Sequence, residues 1–210
     1  MEARMTETAQ PTRGVRLPRD ARRAQLLDAA QHVFVHNGYH AAAMDDIAER
    51  AGVSKPVLYQ HFPGKLELYL ALLETHGGEL VRRVRQAIES TPDNKHRVRA
   101  AVAALYEFVD TEGQAFRLVF ESDLRSEPSV EQAVQNALSG CIDAVAEAVT
   151  ADAGLDHERA RLLAVGLVGL SQVTARYWLD ASQTVSRDEA VTLMSTLAWK
   201  GISGFPLQAG

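Results

Sequence analysis

Apolar residues recur at helical spacing along nearly the whole chain, and no run alternates in the manner of a strand. Leu26, Ala30, Val33 and Phe34 lie on one stripe at i, i+4, i+7 and i+8, which predicts a helix over about Asp20–His36 that Asn37-Gly38 stops. A short helix is predicted near Asp45–Ala51, with Asp45 and Asp46 in the first turn, where carboxylates meet the positive end of the helix dipole. Gly52 breaks it and Ser54 is a suitable N-cap. A third helix then runs about Lys55–His61, with Pro56 tolerated in its first turn. Pro63-Gly64 ends that unit. A long fourth helix starts near Lys65, carries the stripe Leu66, Leu70, Leu73, Gly77, Leu80, Val84, Ile88, and ends before Thr91-Pro92. Val98, Val102, Leu105 and Val109 mark a fifth helix, and about Gln114–Leu124 a sixth. About Ser129–Ala151, Asp156–Asp180 and Ser186–Ser203 complete the set. The predicted fold class is all-α, with about nine helices.

Charge is distributed unevenly over this pattern. The chain of 210 residues has a net charge of −5, which argues against a protein that coats nucleic acid along its full length. Residues 1–65 nevertheless hold 9 Lys/Arg against 7 Asp/Glu, so an acidic body carries a mildly basic head. Residues 1–18 are polar and punctuated by Pro and Gly; they read as a disordered arm bearing Arg4, Arg13 and Arg16. Cys141 is the only cysteine, so one chain can form no disulfide, in keeping with a reducing cytosol. No apolar run reaches the ~18 residues that span a bilayer, and the N-terminus lacks the apolar core of a signal peptide. The expected location is cytoplasmic, associated with the nucleoid, with no membrane partner.

The stretch Met44–Phe62 has a specific mechanical logic. Ile47 and Ala48 give the second helix a small apolar face, and Gly52 supplies a left-handed turn at low cost. Val53, Leu58 and Phe62 then anchor the turn and the third helix against Leu26, Val33 and Phe34. Two short helices pinned in this way leave Lys55, Val57, Tyr59, Gln60 and His61 facing outward, as a major-groove reader requires. The string AGVSKPVLYQHFPGK, preceded by GY and MDDIAER, resembles the TetR/AcrR family of one-component regulators over about residues 20–70.

That resemblance implies a helix-turn-helix DNA-binding domain over residues 19–65 (motif about 43–62) and an effector-binding, dimerising body over 66–210. It implies a sequence-specific regulator, in the first instance a repressor released from its operator by a small molecule. The alternatives are an activator of the same fold, or a helical interaction module without sequence-specific DNA binding. It also places Lys55 and Val57 at base edges, where an ammonium reaches guanine O6/N7 and methyls meet a thymine methyl. Tyr59 and His61 correspond to phosphate contacts, as does Lys65 beside the amides that open the fourth helix. Asp45, Ser54, Pro56 and Gln60 complete the expected DNA-facing set. The family commonly has Ser or Thr ahead of the second helix; here Ala42-Ala43 stand there, and Asp45 is the candidate cap.

One small head on DNA is expected to work as a pair, on half-sites ~34–36 Å apart. The expected homodimer surface lies on the last two helices, at Gly166, Gly169, Val173, Trp178, Leu193 and Leu197. Two glycines inside one helix, each costing about 1 kcal/mol against Ala, invite close helix approach as their reason. The expected effector contacts are Tyr106, Phe116, Phe120, Gln172, Arg176 and Tyr177. His32, His36, His40 and His61 lack the acidic companions and spacing of a metal site, so neither metal nor cofactor is expected. No phosphate-binding glycine loop, HExxH or activated nucleophile is present in the sequence, which sets enzyme function aside.

Overall fold

A computed structural model of the chain describes residues 17–201, apart from 122, 123, 125, 182 and 183. The expected arm, residues 1–18, falls outside these except for Leu17 and Pro18. Nine helices lie among the described residues: α1 Arg19–Ala41, α2 Met44–Arg50, α3 Lys55–His61, α4 Lys65–Glu89, α5 Asn94–Thr111, α6 Gly113–Phe120, α7 Pro128–Ala153, α8 His157–Asp180 and α9 Arg187–Lys200. The all-α expectation holds.

The first helix outruns its predicted end. Gly38 takes φ 73, outside helical geometry, and the chain then resumes one more turn to Ala41. Asn37-Gly38 therefore kinks the helix rather than ending it. The kink carries Tyr39 back against Phe34 and Tyr69, whose ring centroids lie 5.8 and 5.1 Å from that of Tyr39. Leu26, Ala29, Ala30, Val33 and Phe34 fill the core between α1, α2 and α3. Removing each large apolar side chain there from water contributes roughly 1.5–3 kcal/mol.

With 25 residues, α4 extends ~38 Å at 1.5 Å per residue. Its first turns bury Leu68, Tyr69 and Leu72; its later ones bury Leu80 and Val84 in the body. Against α7 it packs closely at two glycines. A Cβ on Gly77 would stand 2.7 Å from that of Ala137, and one on Gly140 would stand 2.8 Å from a Val81 methyl. The short α6 packs against α1, α4 and α5.

The absence of a continuous apolar run holds at α8, whose overall hydropathy is nonetheless high. An 18-residue window of this helix has mean hydropathy 1.3, enough by length and composition to cross a membrane, although Ser171, Gln172 and Thr174 interrupt any continuous apolar run. Only 17% of that window is buried within the chain, and Leu162, Leu163, Val165, Val173 and Tyr177 are exposed. A face this apolar normally meets another surface.

Candidate nucleic-acid interface and internal cavity

Local sequence sets the geometry of α2 and α3. Gly52 takes φ 64, letting its amide reach the Glu49 carbonyl at 3.0 Å and the Val53 amide reach Ala48 at 3.0 Å. The Gln25 side chain donates to the Ala51 carbonyl at 2.8 Å, so α1 braces the turn directly. Leu58 and Phe62 are almost wholly buried, and the Arg23 guanidinium covers the Phe62 ring at 4.5 Å. With its inner side fixed, α3 leaves Lys55, Pro56, Tyr59 and Gln60 exposed, with Ser54 just ahead of it; Val57 and His61 are half-buried at the edges of the same surface.

Two capping expectations resolve differently. Ser54 occupies the N-cap position of α3 but makes no side-chain cap bond. Asp45 does not cap α2, whose N-cap is Ala43; its carboxylate instead accepts from Lys55 Nζ at 2.6 Å. That hydrogen bond, ahead of the simple charge attraction, holds the Lys55 ammonium above its usual pKa.

Lys65 is placed otherwise than expected. Its ammonium turns inward to the end of α1 and donates to the carbonyls of Tyr39 (2.8 Å), Ala42 (2.9 Å) and His40 (3.3 Å). It also lies 4.5 Å from the Tyr39 ring centroid. An ammonium has three donors, so this geometry leaves none directed at a phosphate.

Between α4, α5, α7 and α8 lies a cavity of about 470 Å³. Its walls are mostly apolar, including Leu80, Val84, Ile88, Val102, Leu105, Val145 and Leu167; Asn94, Arg97, Ser171 and Gln172 supply the polar positions. Leu163 and Trp199 line it while remaining about half exposed, so the cavity opens at the surface beside α8 and α9. The Cys141 thiol is in the wall, where burial pushes its pKa up to about 12 and keeps it neutral.

Of the expected effector contacts, Phe120 and Gln172 line this cavity. The other four do not. Tyr106 is core, packed 5.5 Å from Trp178, and Phe116 is fully buried against Phe120 at 4.9 Å. Arg176 pairs with Glu121 at 3.1 Å, and Tyr177 faces outward with 74% of its surface exposed. The apolar stripes of α4, α5 and α7 form the walls instead. Sequence cannot separate such positions from plain core, because a lined cavity and a filled one share the same periodicity.

Among the expected dimer residues, Trp178 is also corrected. It is buried within the single chain, and its indole nitrogen donates to the Val185 carbonyl at 2.7 Å. Gly166, Val173 and Leu193 are exposed, and Gly169 and Leu197 half-buried. A Cβ added at Gly166 or Gly169 would meet no atom within 4 Å, so packing inside the single chain does not require either glycine.

Comparison with known proteins agrees with this geometry. Residues 26–72 match the pattern of "Bacterial regulatory proteins, tetR family". The HTH-type transcriptional activator FasR of Mycolicibacterium smegmatis is 54% identical over 195 residues, covering 93% of this chain and 89% of that protein. The HTH-type transcriptional repressor KstR2 of Rhodococcus jostii is 31% identical over 97 residues, 46% of this chain and 48% of that protein. The structure of the regulator FadR from Bacillus subtilis in complex with stearoyl-CoA superposes with TM-score 0.67 at 20% identity, over 85% of this chain and 98% of that one, a likeness of fold. Two pinned short helices, a long fourth helix and a relative matched along nearly its whole length make the chain a member of the TetR family of DNA-binding transcriptional regulators.

Proposed function

We propose that the chain is a transcriptional activator whose α3 reads duplex DNA and whose cavity holds a ligand with a long acyl chain. The observation that carries the DNA reading is the exposed row Ser54, Lys55, Pro56, Tyr59 and Gln60, held outward by buried Leu58 and Phe62. In this reading Lys55, Val57 and Gln60 meet base edges, while Ser54, Tyr59 and His61 meet phosphates. The head comprises residues 19–65 and the body 66–210.

Activation takes the place of the repression first favoured from sequence. The relative named an activator is 54% identical over 93% of this chain, whereas the one named a repressor matches 46% of it. The ligand reading has two supports. The cavity volume falls in the range of small-molecule sites, roughly 300–1,000 Å³, and its walls are apolar. A protein of the same fold, FadR, was crystallised with stearoyl-CoA. Such a ligand changes DNA binding only by favouring one spacing of the heads over another. Two protomers joined through α8 and α9, at Gly166, Gly169, Val173, Leu193 and Leu197, would present two heads to neighbouring half-sites.

Genome-wide mapping of bound DNA, combined with transcript levels in a strain lacking the gene, tests this function. Transcripts beside the mapped sites should fall in that strain. A rise there would make the protein a repressor, and the absence of reproducible sites would remove the DNA reading altogether.

A further inference from the structure

We infer that Lys65 is a positioning residue that clamps the first turn of α4 to the last turn of α1, so that the long helix and the DNA-binding head move as one piece. The inference rests on the DNA reading above but assigns Lys65 a different task from the residues of α3.

The clamp follows from the kink. Gly38 ends regular α1 geometry, and the extra turn beyond it leaves the carbonyls of Tyr39, His40 and Ala42 at a helix C-terminus, where no intrahelical amide reaches them. That end carries the negative pole of the dipole, which favours a cation. Lys65 Nζ meets all three carbonyls, at 2.8, 3.3 and 2.9 Å, and the Tyr39 ring beside them adds a cation–π contact at 4.5 Å. Phe34 stacks on that ring and Tyr69 meets it edge-on, which fixes the ring beside the carbonyls. Swinging the ammonium to a phosphate would strip three carbonyls of their donor, one of them on buried Ala42.

The position of Lys65 gives the clamp its consequence. It is the first residue of α4, whose Leu80, Val84 and Ile88 line the cavity at the other end. A shift imposed on α4 by a bound molecule passes to the head through whatever ties α4 to α1, and Lys65 supplies three of those ties in one side chain.

Lysine acetylation of the full-length protein, free and bound to duplexes recovered by selection from a random library, tests the clamp. Lys65 should react more slowly than exposed Lys55 in the free protein and gain no further protection on DNA. The variant Lys65→Met should bind the selected duplexes more weakly with an unchanged salt dependence. It should also exchange the Ala42 and Leu68 amide hydrogens faster, and Lys65→Arg should restore both. Lys65 as reactive as Lys55 when free, or protected only on DNA, would overturn the inference. So would a log–log salt slope shallower by about one in Lys65→Met, the signature of a lost phosphate contact. If Lys65→Met does not fold, the acetylation of the native protein decides alone. If the selection returns no duplex, the DNA reading fails, while acetylation of the free protein and amide exchange still decide the clamp.

Discussion

Lys55 Nζ lies 2.6 Å from Asp45 Oδ2, joining the start of α3 to the first turn of α2 on the surface proposed to face DNA. Both side chains are about 60% exposed, so the pair is screened and adds little to the stability of the fold. Its weight falls on binding. A carboxylate beside the ammonium proposed to read bases fixes its direction and repels phosphates. Asp45→Asn should therefore tighten binding to arbitrary duplexes and steepen the log–log salt dependence by about one, while leaving thermal stability nearly unchanged. Fluorescence anisotropy over a salt series on random duplexes measures this, and an unchanged slope would count against the role of the pair.

Lys55 and Tyr59 should fail in different ways. Loss of a base-edge donor in Lys55→Ala should flatten the preference at particular base pairs roughly ten-fold or more. Tyr59→Phe removes only a hydroxyl, and with it the proposed phosphate bond, so it should weaken all sequences alike. Selection from a random duplex library on each variant separates the two, and identical motif profiles would remove the assignment of Lys55.

Adjacent glycines in α4 make a matched pair. Gly78 has no atom within 4 Å of an added Cβ, so Gly78→Ala should stabilise the protein by up to about 1 kcal/mol through helix propensity. The Cβ of Gly77→Ala would stand 2.7 Å from that of Ala137, on a neighbouring helix that cannot yield locally. That change should destabilise by about 1–3 kcal/mol. Urea unfolding of both variants tests the closeness of α4 to α7.

His76 gives the fold a pH dependence. Its ring bonds to Gln31 at 3.0 Å, and burial, the largest influence, holds its pKa below the usual value despite the nearby carboxylates of Glu112 and Glu79. The folded protein therefore keeps it neutral, whereas the unfolded chain takes up a proton near pH 6.5. Above that pH His76 contributes no dependence. As pH falls below about 6.5 the unfolded state binds more protons, and stability drops until the lowered folded pKa is reached. Thermal unfolding of the native protein and of His76→Gln should show a larger acid-side loss in the native chain; equal losses would contradict this.

Periodicity made the helices legible, because apolar stripes on nine segments have one economical burial. The head was legible in more detail, since Gly52, Leu58 and Phe62 each have a single mechanical use there. Three features were not. The inward turn of Lys65 depends on carbonyls exposed beyond a kink at Gly38, the Tyr39 carbonyl lying 26 residues earlier, and no local pattern announces such a partner. Trp178 shares an apolar helix with exposed Val173, and only packing against Tyr106 separates core from surface. The cavity is written in the same residues as a filled core, so its walls carried no distinguishing mark.

On the proposed reading, the outer side of α3, carried twice on a dimer, reads duplex DNA. Selection of the native protein on a random duplex library, with the bound stoichiometry measured by sedimentation, is the decisive measurement. The recovered motif should hold two related half-sites, centred about one helical turn or a multiple of it apart, ~34–36 Å per turn, with two protomers bound. Recovery of no motif at moderate salt by an intact, folded protein would contradict it.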